Sequence, residues 1–221
     1  MPAFQIGIVA ALGRFAFEMT DQIGRTRGSS QADSDLQHAA GLLQYPGTVW
    51  LWDPSISLLP TASSQAQFRR ARQALTDYNA RLAQGQATFD PRTDNLLATV
   101  DRFAADLGSD SAKIDREIRE AGFFSGEATK LCYEAKGHAY AYYLLMRGLT
   151  DDYQTVIRDR QMQNVWDQAV ASLAEAARTR PLIVMNGAPD SLIFPNHLAT
   201  EGFYILRART QLREITSILQ K

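Results

Sequence analysis

The apolar residues of this chain recur every three or four positions over long stretches. In the first stretch Ile8, Leu12, Phe15, Met19 and Ile23 fall on one face of a helix. The same spacing returns in later stretches, whose apolar stripes begin at Leu36, Phe68, Leu96, Leu131, Val165 and Leu198. Amphipathic helices joined by short links bury their stripes against one another. The pattern therefore predicts a mainly all-α protein, an antiparallel bundle of about six or seven helices.

Several residues at the boundaries of these stretches are typical of helix starts. Short polar side chains accept hydrogen bonds from the free amides of a first helical turn. The predicted N-caps are Asp33, Ser64 (in a capping box with Gln67), Asp90 (before Pro91), Ser125 and Asn196. Gly108-Ser109 predicts a break or kink in the stretch that begins at Leu96.

Two short segments rich in β-branched and aromatic residues depart from the helical spacing. They are residues 48–52 and residues 182–185. The second is followed by a turn signal at Asn186-Gly187 and by another apolar run at 191–194. A small accessory β-hairpin beside the bundle and extended segments packed as lids both fit this pattern.

Size and composition indicate one globular domain without a nucleic-acid partner. The chain has 221 residues, of which 45% are apolar and 21% are charged, and this predicts a single helical domain over residues 1–221. Lys and Arg total 23 while Asp and Glu total 24, which leaves a net charge of −1. A protein that binds nucleic acid by releasing counterions needs a basic surface, and this balance does not supply one.

The single cysteine and the apolar N-terminal stretch exclude further classes of protein. Cys132 alone can form neither an intrachain disulfide nor a thiolate zinc site, and its helical context predicts a small buried hydrophobe. The stretch from Phe4 to Phe17 carries Gln5 and Arg14 and falls short of the roughly 18–20 residues of a membrane span. It also lacks the basic start of a signal peptide. The chain as given is expected to be soluble.

A set of short motifs carries a resemblance to a known family. They are Arg92-Thr93-Asp94-Asn95-Leu96, Tyr133-Glu134-Ala135-Lys136-Gly137 followed by Ala139 and Ala141, Asn186-Gly187, Asn196-His197 and Arg207-Ala208. With these motifs the chain resembles the uncharacterised bacterial domain-of-unknown-function family 2333, DUF2333, over nearly its whole length. Met1-Pro2 and Gly7 are similar to an internal stretch of the family pattern. His138 departs from that pattern, because the family has a glutamine there.

The resemblance implies a setting in the cell envelope. Members of the family begin with a transmembrane helix and a further segment, so membrane proximity is expected only through a segment absent from this chain. The helical part is expected on the periplasmic side of the inner membrane of a Gram-negative bacterium. The family supplies no activity and no catalytic residue to carry over.

Glu134 and His138 lie four residues apart, which places them on one helix face. A metal site of this kind needs further carboxylates or histidines from facing helices, such as paired Glu-x-x-His motifs, and the sequence has no such pair. A helix pair or a buried hydrogen bond is the better interpretation. We therefore expect no metal and no cofactor.

Glu134, Asn186 and His197 are the candidate polar centre of an enzyme. Their side chains could line a polar cleft, and histidine is suited to proton transfer near neutral pH. The competing interpretation is structural, because Asn186-Gly187 is a turn signal and Asn196 places His197 in the first turn of a helix. No Ser-His-Asp order, nucleophile elbow or phosphate-binding glycine loop supports a hydrolase.

Trp50 and Trp52 lie in the long loop between Tyr45 and Ala62. Long loops of compact domains are often functional or packed as lids. Exposed indoles would form a binding surface, whereas buried ones would belong to a lid. The leading hypothesis is a non-enzymatic cell-envelope domain that binds a protein partner or an apolar ligand. It predicts that Trp50→Ala plus Trp52→Ala abolishes this binding.

Two other functions stay open. One is a hydrolase-like enzyme built on Glu134, Asn186 and His197, which requires these side chains to converge in one pocket that solvent reaches. The other is a homo-oligomeric structural module, which requires a broad apolar helix face left uncovered in the monomer.

Overall fold

The contacts of the chain divide it into two compact units. The structure, a computed structural model, describes residues 2–26, 33–49, 63–120, 125–179, 184–185 and 196–221. Unit 1 comprises Ala3–Ile8 and Pro91–Lys221, and unit 2 comprises Pro2 and Val9–Asp90. The single helical domain predicted over residues 1–221 stays a prediction.

The secondary structure of the described residues is helical, which confirms the predicted fold class. The helices in these ranges are α1 (Pro2–Thr26), α2 (Ser34–Leu43), α3 (Ser64–Ala83), α4 (Thr93–Glu120), α5 (Gly126–Asp152), α6 (Gln154–Asp159), α7 (Gln163–Arg178) and α8 (His197–Leu219). None of them combines the length and the hydropathy that crossing a bilayer requires. The described ranges contain no strand. Of the proposed β segments, residues 50–52, 182–183 and 191–194 lie outside these ranges.

Three of the predicted helix starts are confirmed by N-cap hydrogen bonds. The side chains of Asp33, Ser125 and Asn196 accept bonds from first-turn amides of α2, α5 and α8. Each bond satisfies a backbone donor that helix geometry leaves free.

The predicted capping box at Ser64 is wrong by one residue. The N-cap of α3 is Ser63, whose hydroxyl oxygen accepts a hydrogen bond from the amide of Ala66. The Ser64 hydroxyl is instead buried and lies 2.6 Å from the carbonyl oxygen of Pro46 and 2.7 Å from that of Val49. Ser64 therefore anchors residues 46–49 at the start of α3 rather than capping the helix.

The predicted start of α4 is also wrong, and of the break or kink predicted at Gly108-Ser109 the break is not found. The helix begins at Thr93, three residues after the proposed cap Asp90, and it runs unbroken through Gly108. A Cβ atom at Gly108 would lie 2.9 Å from Nε of Arg209 on α8. The glycine therefore makes room for a neighbouring side chain instead of ending the helix.

Unit 2 contains most of α1 together with α2 and α3. One cluster of buried small and apolar residues joins the three helices: Ala16, Ala40, Leu43 and Ala71. A second cluster joins Met19, Leu36 and Tyr78. Gly13 lets α1 approach α2 closely, because a Cβ atom there would lie 3.2 Å from the carbonyl oxygen of Leu43.

An arginine fork ties the start of α2 to the end of α3. The Arg81 guanidinium bonds the carboxylates of both Asp33 and Asp35, with its Nη2 atom 2.7 Å and 2.6 Å from their oxygens. Burial alone would raise the pKa of the Asp33 carboxyl, but bonds from Arg81 and from first-turn amides lower it below its usual value. The N-cap of α2 thus keeps its negative charge at the positive end of the helix dipole.

Unit 1 is built on α4, α5, α7 and α8, each of which packs antiparallel against two of the others. Both α5 and α8 pack on α4 and on α7. Residue numbers rise on one helix and fall on its neighbour in these contacts: Asp106 with Tyr142 and Asp110 with His138, Thr150 with Trp166 and Lys136 with Thr179, Gln168 with Gln211 and Thr179 with Glu201, Asp101 with Arg213 and Ile114 with Gly202. The predicted antiparallel bundle is found in this unit.

The core of unit 1 contains the apolar stripes that the sequence pattern predicts, together with Trp166, which the predicted stripe of α7 did not include. Its largest fully buried side chains include Trp166, Tyr142, Phe103, Leu96, Leu107, Met146, Leu173 and Leu198. Each large apolar side chain contributes about 1.5–3 kcal/mol when it leaves water. The indole nitrogen of Trp166 donates to Oγ1 of Thr150 at 2.9 Å, so the largest of them is also satisfied as a donor.

A glycine pair brings the start of α1 against α5 within unit 1. A Cβ atom at Gly137 would lie 2.3 Å from the carbonyl oxygen of Phe4 and 3.0 Å from the amide nitrogen of Ile8. A Cβ atom at Gly7 would lie 2.2 Å from the carbonyl oxygen of Glu134. Since backbone atoms cannot move aside as side chains do, only glycine fits at these two positions.

We expect Gly137→Ala to lower the free energy of unfolding by about 2 kcal/mol or more, because the new methyl group overlaps backbone atoms of α1. Gly148→Ala on the same helix is the matched control. A Cβ atom there meets nothing within 4 Å, so the better helix propensity of alanine should stabilise the chain by about 0.5–1 kcal/mol. Urea unfolding of both variants measures the difference, and equal stabilities would contradict the close approach.

Candidate functional site

The residues predicted as an enzymatic centre are only partly described. Glu134 is half-buried on α5, and His197 is half-buried in the first turn of α8. Nδ1 of His197 accepts a hydrogen bond from the amide of Met185 at 3.1 Å, while the His197 amide donates to the Met185 carbonyl. Within the described residues no hydrogen bond or ion pair joins Glu134 to His197. Asn186 lies outside these residues, so the three-residue centre stays a prediction.

The predicted binding residues Trp50 and Trp52 also lie outside the described residues. Their assignment as a docking surface or as part of a lid therefore stays a prediction as well.

Ionisable and polar side chains from several helices meet inside unit 1, and we call this set the buried polar cluster. Its members are Asp110 on α4, Lys136 and His138 on α5, Thr179 at the end of α7 and Glu201 on α8. Charged groups are rarely buried unless they are paired, because leaving water costs several kcal/mol for each ion. Every one of the four helices contributes to this cluster.

Asp110 and His138 form the pair between α4 and α5. Oδ2 of Asp110 lies 2.6 Å from Nδ1 of His138, and the two side chains are 4% and 12% exposed. Nζ of Lys113 lies 3.8 Å from the other carboxylate oxygen. One turn away, the Tyr142 hydroxyl donates to Asp106 at 2.7 Å. The buried hydrogen bond that the sequence suggested for His138 is confirmed, and its partner is Asp110.

Glu201 is the most completely buried member of the cluster, with 0% of its surface exposed. Its Oε2 atom accepts a hydrogen bond from Oγ1 of Thr179 at 2.6 Å, and its Oε1 atom has no partner among the described residues. Burial raises the pKa of the Glu201 carboxyl to about 8, because the Thr179 bond and the charge of Lys136 offset only part of the desolvation. Burial therefore favours the protonated form of this carboxyl well above the pH at which an ordinary glutamate ionises.

Lys136 is 9% exposed and holds its ammonium group between polar and aromatic partners. Nζ donates to the carbonyl oxygen of Thr179, and it lies 5.5 Å from the ring centre of Phe4 and 5.7 Å from that of Tyr133. Aromatic faces attract a cation most strongly where water is scarce. This surrounding explains how a lysine is kept near the core.

Cys132 lies one turn before Lys136 on α5 and is 2% exposed. Burial and the nearby charge of Glu201 raise the pKa of its thiol to about 12, against a smaller opposing effect of Lys136. Since the thiolate is the reactive form of cysteine, this thiol is inert in the folded protein. The predicted buried hydrophobe is confirmed.

Among the described residues no group of three or more His, Cys, Asp or Glu side chains is arranged to hold a metal ion. The carboxylates of the buried polar cluster face hydrogen-bond donors instead, as the pairs of Asp110 with His138 and of Glu201 with Thr179 show.

In the part of the chain that the structure describes, large apolar side chains are exposed at three places. Phe203 and Leu206 on α8 are 59% and 46% exposed, Tyr140 and Leu144 on α5 are 37% and 45% exposed, and Phe17 in unit 2 is 60% exposed. Phe203 and Leu206 lie three residues apart, so they share one face of α8. We call this pair the α8 ridge.

Asp110 and Glu201 were not predicted as site residues, although the sequence carries a signal for both. Asp110 lies between Leu107 and Ile114 at spacings of three and four, which is a position of the apolar stripe. Glu201 stands in the same relation to Leu198 and Ile205. A charge at a core position of a helix marks a buried polar group, and that pattern identifies both residues.

Removing one partner of the buried pair should be costly. We expect Asp110→Ala to destabilise unit 1 by about 3 kcal/mol, because His138 is left buried without its partner. The matched control is Asp115→Ala on the same helix, whose ion pair with Arg119 is largely exposed and should contribute little. Native-state hydrogen exchange of the α4 and α5 amides measures both effects. Similar protection in the two variants would show that the Asp110–His138 contact does not stabilise the bundle.

Comparison with models of protein families shows which family the chain matches. The model of a family described as "Uncharacterized protein conserved in bacteria (DUF2333)" matches residues 1–130 and 126–221 of the chain. The resemblance drawn from the sequence motifs is thereby confirmed. No curated protein and no solved structure matches the chain.

Proposed function

Because this chain belongs to DUF2333, a bacterial family of uncharacterised proteins, we propose a function from its own surface: a non-enzymatic helical domain of the cell envelope that binds a protein partner through the α8 ridge. The envelope setting, on the periplasmic side of the inner membrane in a full-length anchored form, rests on the family resemblance alone.

The exposure of Phe203 and Leu206 is the observation that carries this proposal. Single exposed apolar side chains are normal on a protein surface, whereas neighbouring ones indicate contact with another molecule. The ring of Phe203 meets that of Tyr204 edge to face, with 5.3 Å between their centres, which extends the apolar surface. Arg207, the next residue after Leu206, is exposed and can supply a polar contact at the rim.

The shape of the ridge favours a protein over a small apolar ligand. Small molecules bind in concave sites that cover most of their surface. Two side chains one turn apart on the outer face of a helix project outward, and a projecting helix face fits a groove on another protein. Aromatic side chains such as Phe203 are also among the residues enriched in protein interfaces.

The chemistry of unit 1 supports binding rather than catalysis. The carboxylates of Asp110 and Glu201 contact His138 and Thr179 inside the bundle, and the thiol of Cys132 stays protonated. The alternative enzyme would use Glu134, Asn186 and His197, and the Nδ1 atom of His197 already accepts a backbone hydrogen bond.

A photoreactive phenylalanine analogue at position 207 tests the proposal. We expect it to form a discrete crosslink to another protein when the full-length form is irradiated in its own cells. Phe203→Ser and Leu206→Ser should each reduce the adduct about tenfold, because a central apolar contact typically contributes more than 1 kcal/mol. Phe17→Ser, which removes an equally exposed ring from unit 2, should leave the yield unchanged.

Each alternative gives a different result in this assay. An adduct of twice the mass of the chain would support the homo-oligomeric module in place of a separate partner. An adduct insensitive to both α8 substitutions, or none at all, would refute binding at the ridge. If Trp50→Ala plus Trp52→Ala alone removed the adduct, the partner would bind at the loop that carries these two tryptophans, as predicted from the sequence.

A further inference from the structure

We infer that the end of the unit 1 bundle where Thr179 meets Glu201 is a proton-linked latch, which is closed while the Glu201 carboxyl is protonated and opens when that group ionises. The latch consists of Thr179, Glu201 and Lys136. This device is independent of the proposed binding at the α8 ridge.

Thr179 joins the end of α7 to two neighbouring helices. This residue follows α7 directly, and its side chain and backbone bond two different helices. Its hydroxyl donates to Oε2 of Glu201 on α8, while its carbonyl oxygen accepts from Nζ of Lys136 on α5. Thr179 thus joins the end of α7 to both neighbours, and hydration of Glu201 would break one of the contacts that hold this end against α8.

Each helix packed against α8 in unit 1 places a charged or polar group near Glu201. Asp110 on α4 opposes ionisation of the carboxyl, and that aspartate is itself paired with His138. Lys136 on α5 favours ionisation, and Thr179 on α7 stabilises the anion with one hydrogen bond. Complete burial outweighs both favourable effects. A negative charge can therefore form without penalty only when the carboxyl reaches water.

Linkage gives the sign of the pH dependence. The pKa of Glu201 is about 8 in the closed state, and it returns toward its ordinary value of 4.5 once water reaches the group. Between these values the open state has released a proton that the closed state keeps. The opening constant should therefore rise about tenfold for each pH unit and level off above about pH 8. Closure is most stable in mild acid.

The chain carries a built-in reporter of this opening. Cys132 is its only cysteine, it is buried, and it lies close enough to Glu201 for that carboxylate to raise the pKa of the thiol. It precedes Lys136 by one helical turn and so faces the same side of α5. Opening of the latch should expose the thiol, while the closed state protects it.

The experiment is to measure the rate of maleimide labelling of Cys132 in the full chain from about pH 5 to about pH 9, well below denaturing conditions. Each rate is divided by that of the same chain unfolded in urea at the same pH, which removes the titration of the thiol itself. We expect the corrected rate to rise about tenfold per pH unit and to reach a plateau above about pH 8. A corrected rate that does not depend on pH would overturn the latch.

Three variants make the test specific. Glu201→Gln has no proton to release and should give a flat profile, whereas Glu214→Gln, at an exposed position of the same helix, should keep the profile of the parent chain. Lys136→Met removes a cation that lowers the pKa of Glu201, so its plateau should begin at a higher pH. If Glu201→Gln fails to fold, the shift of the plateau in Lys136→Met to a higher pH tests the latch in its place. A rising profile in Glu201→Gln, or an unmoved plateau in Lys136→Met, would contradict the proposal.

Discussion

The constraint on which unit 1 depends is that charges inside a helical bundle must find partners on neighbouring helices. Asp110 and Glu201 occupy stripe positions where an apolar residue would pack, and each carboxyl contacts a different helix. Asp110 meets His138 at one level of the α4–α5 interface, and Asp106 meets Tyr142 one turn away. A slip of these helices by one turn would break both contacts. The polar pairs therefore select one register among several that apolar side chains alone would tolerate.

The predictable part of the fold is the part determined by local rules. Helical spacing alone identifies the stripes that fill the core, and the side chains of Asp33, Ser125 and Asn196 act as caps because each precedes the free amides of its own helix. The wrong predictions concern residues whose role depends on a contact with a residue distant in the sequence. Ser64 resembles a cap in sequence, but its hydroxyl bonds the carbonyl oxygens of Pro46 and Val49. Gly108 has the sequence signature of a helix break, but it lies inside α4 with the side chain of Arg209 on α8 packed against it.

The candidate site was less predictable for the same reason. Glu134 and His197 attract attention as polar residues in recognisable motifs, yet the residue that pairs with His138 comes from α4, twenty-eight positions earlier in the chain. Thr179 becomes important only because its hydroxyl reaches Glu201 across the bundle, and no local pattern around Thr179 predicts that contact. Charged residues inserted in the apolar stripes were the available signal, since a carboxylate at a core position requires a specific environment.

The uncompensated desolvation of Glu201 distinguishes it from the other polar groups of the bundle. Asp110 is matched by His138, so its burial is compensated within unit 1, whereas one oxygen of Glu201 lacks a partner in the described part of the chain. An apolar residue of similar size at position 201 would avoid this desolvation, and replacing buried ionisable groups in this way is often stabilising. Residues that break a rule of local consistency without compensation are expected where function requires it. This imbalance at Glu201, more than the presence of charge, distinguishes a latch from an ordinary interhelical contact.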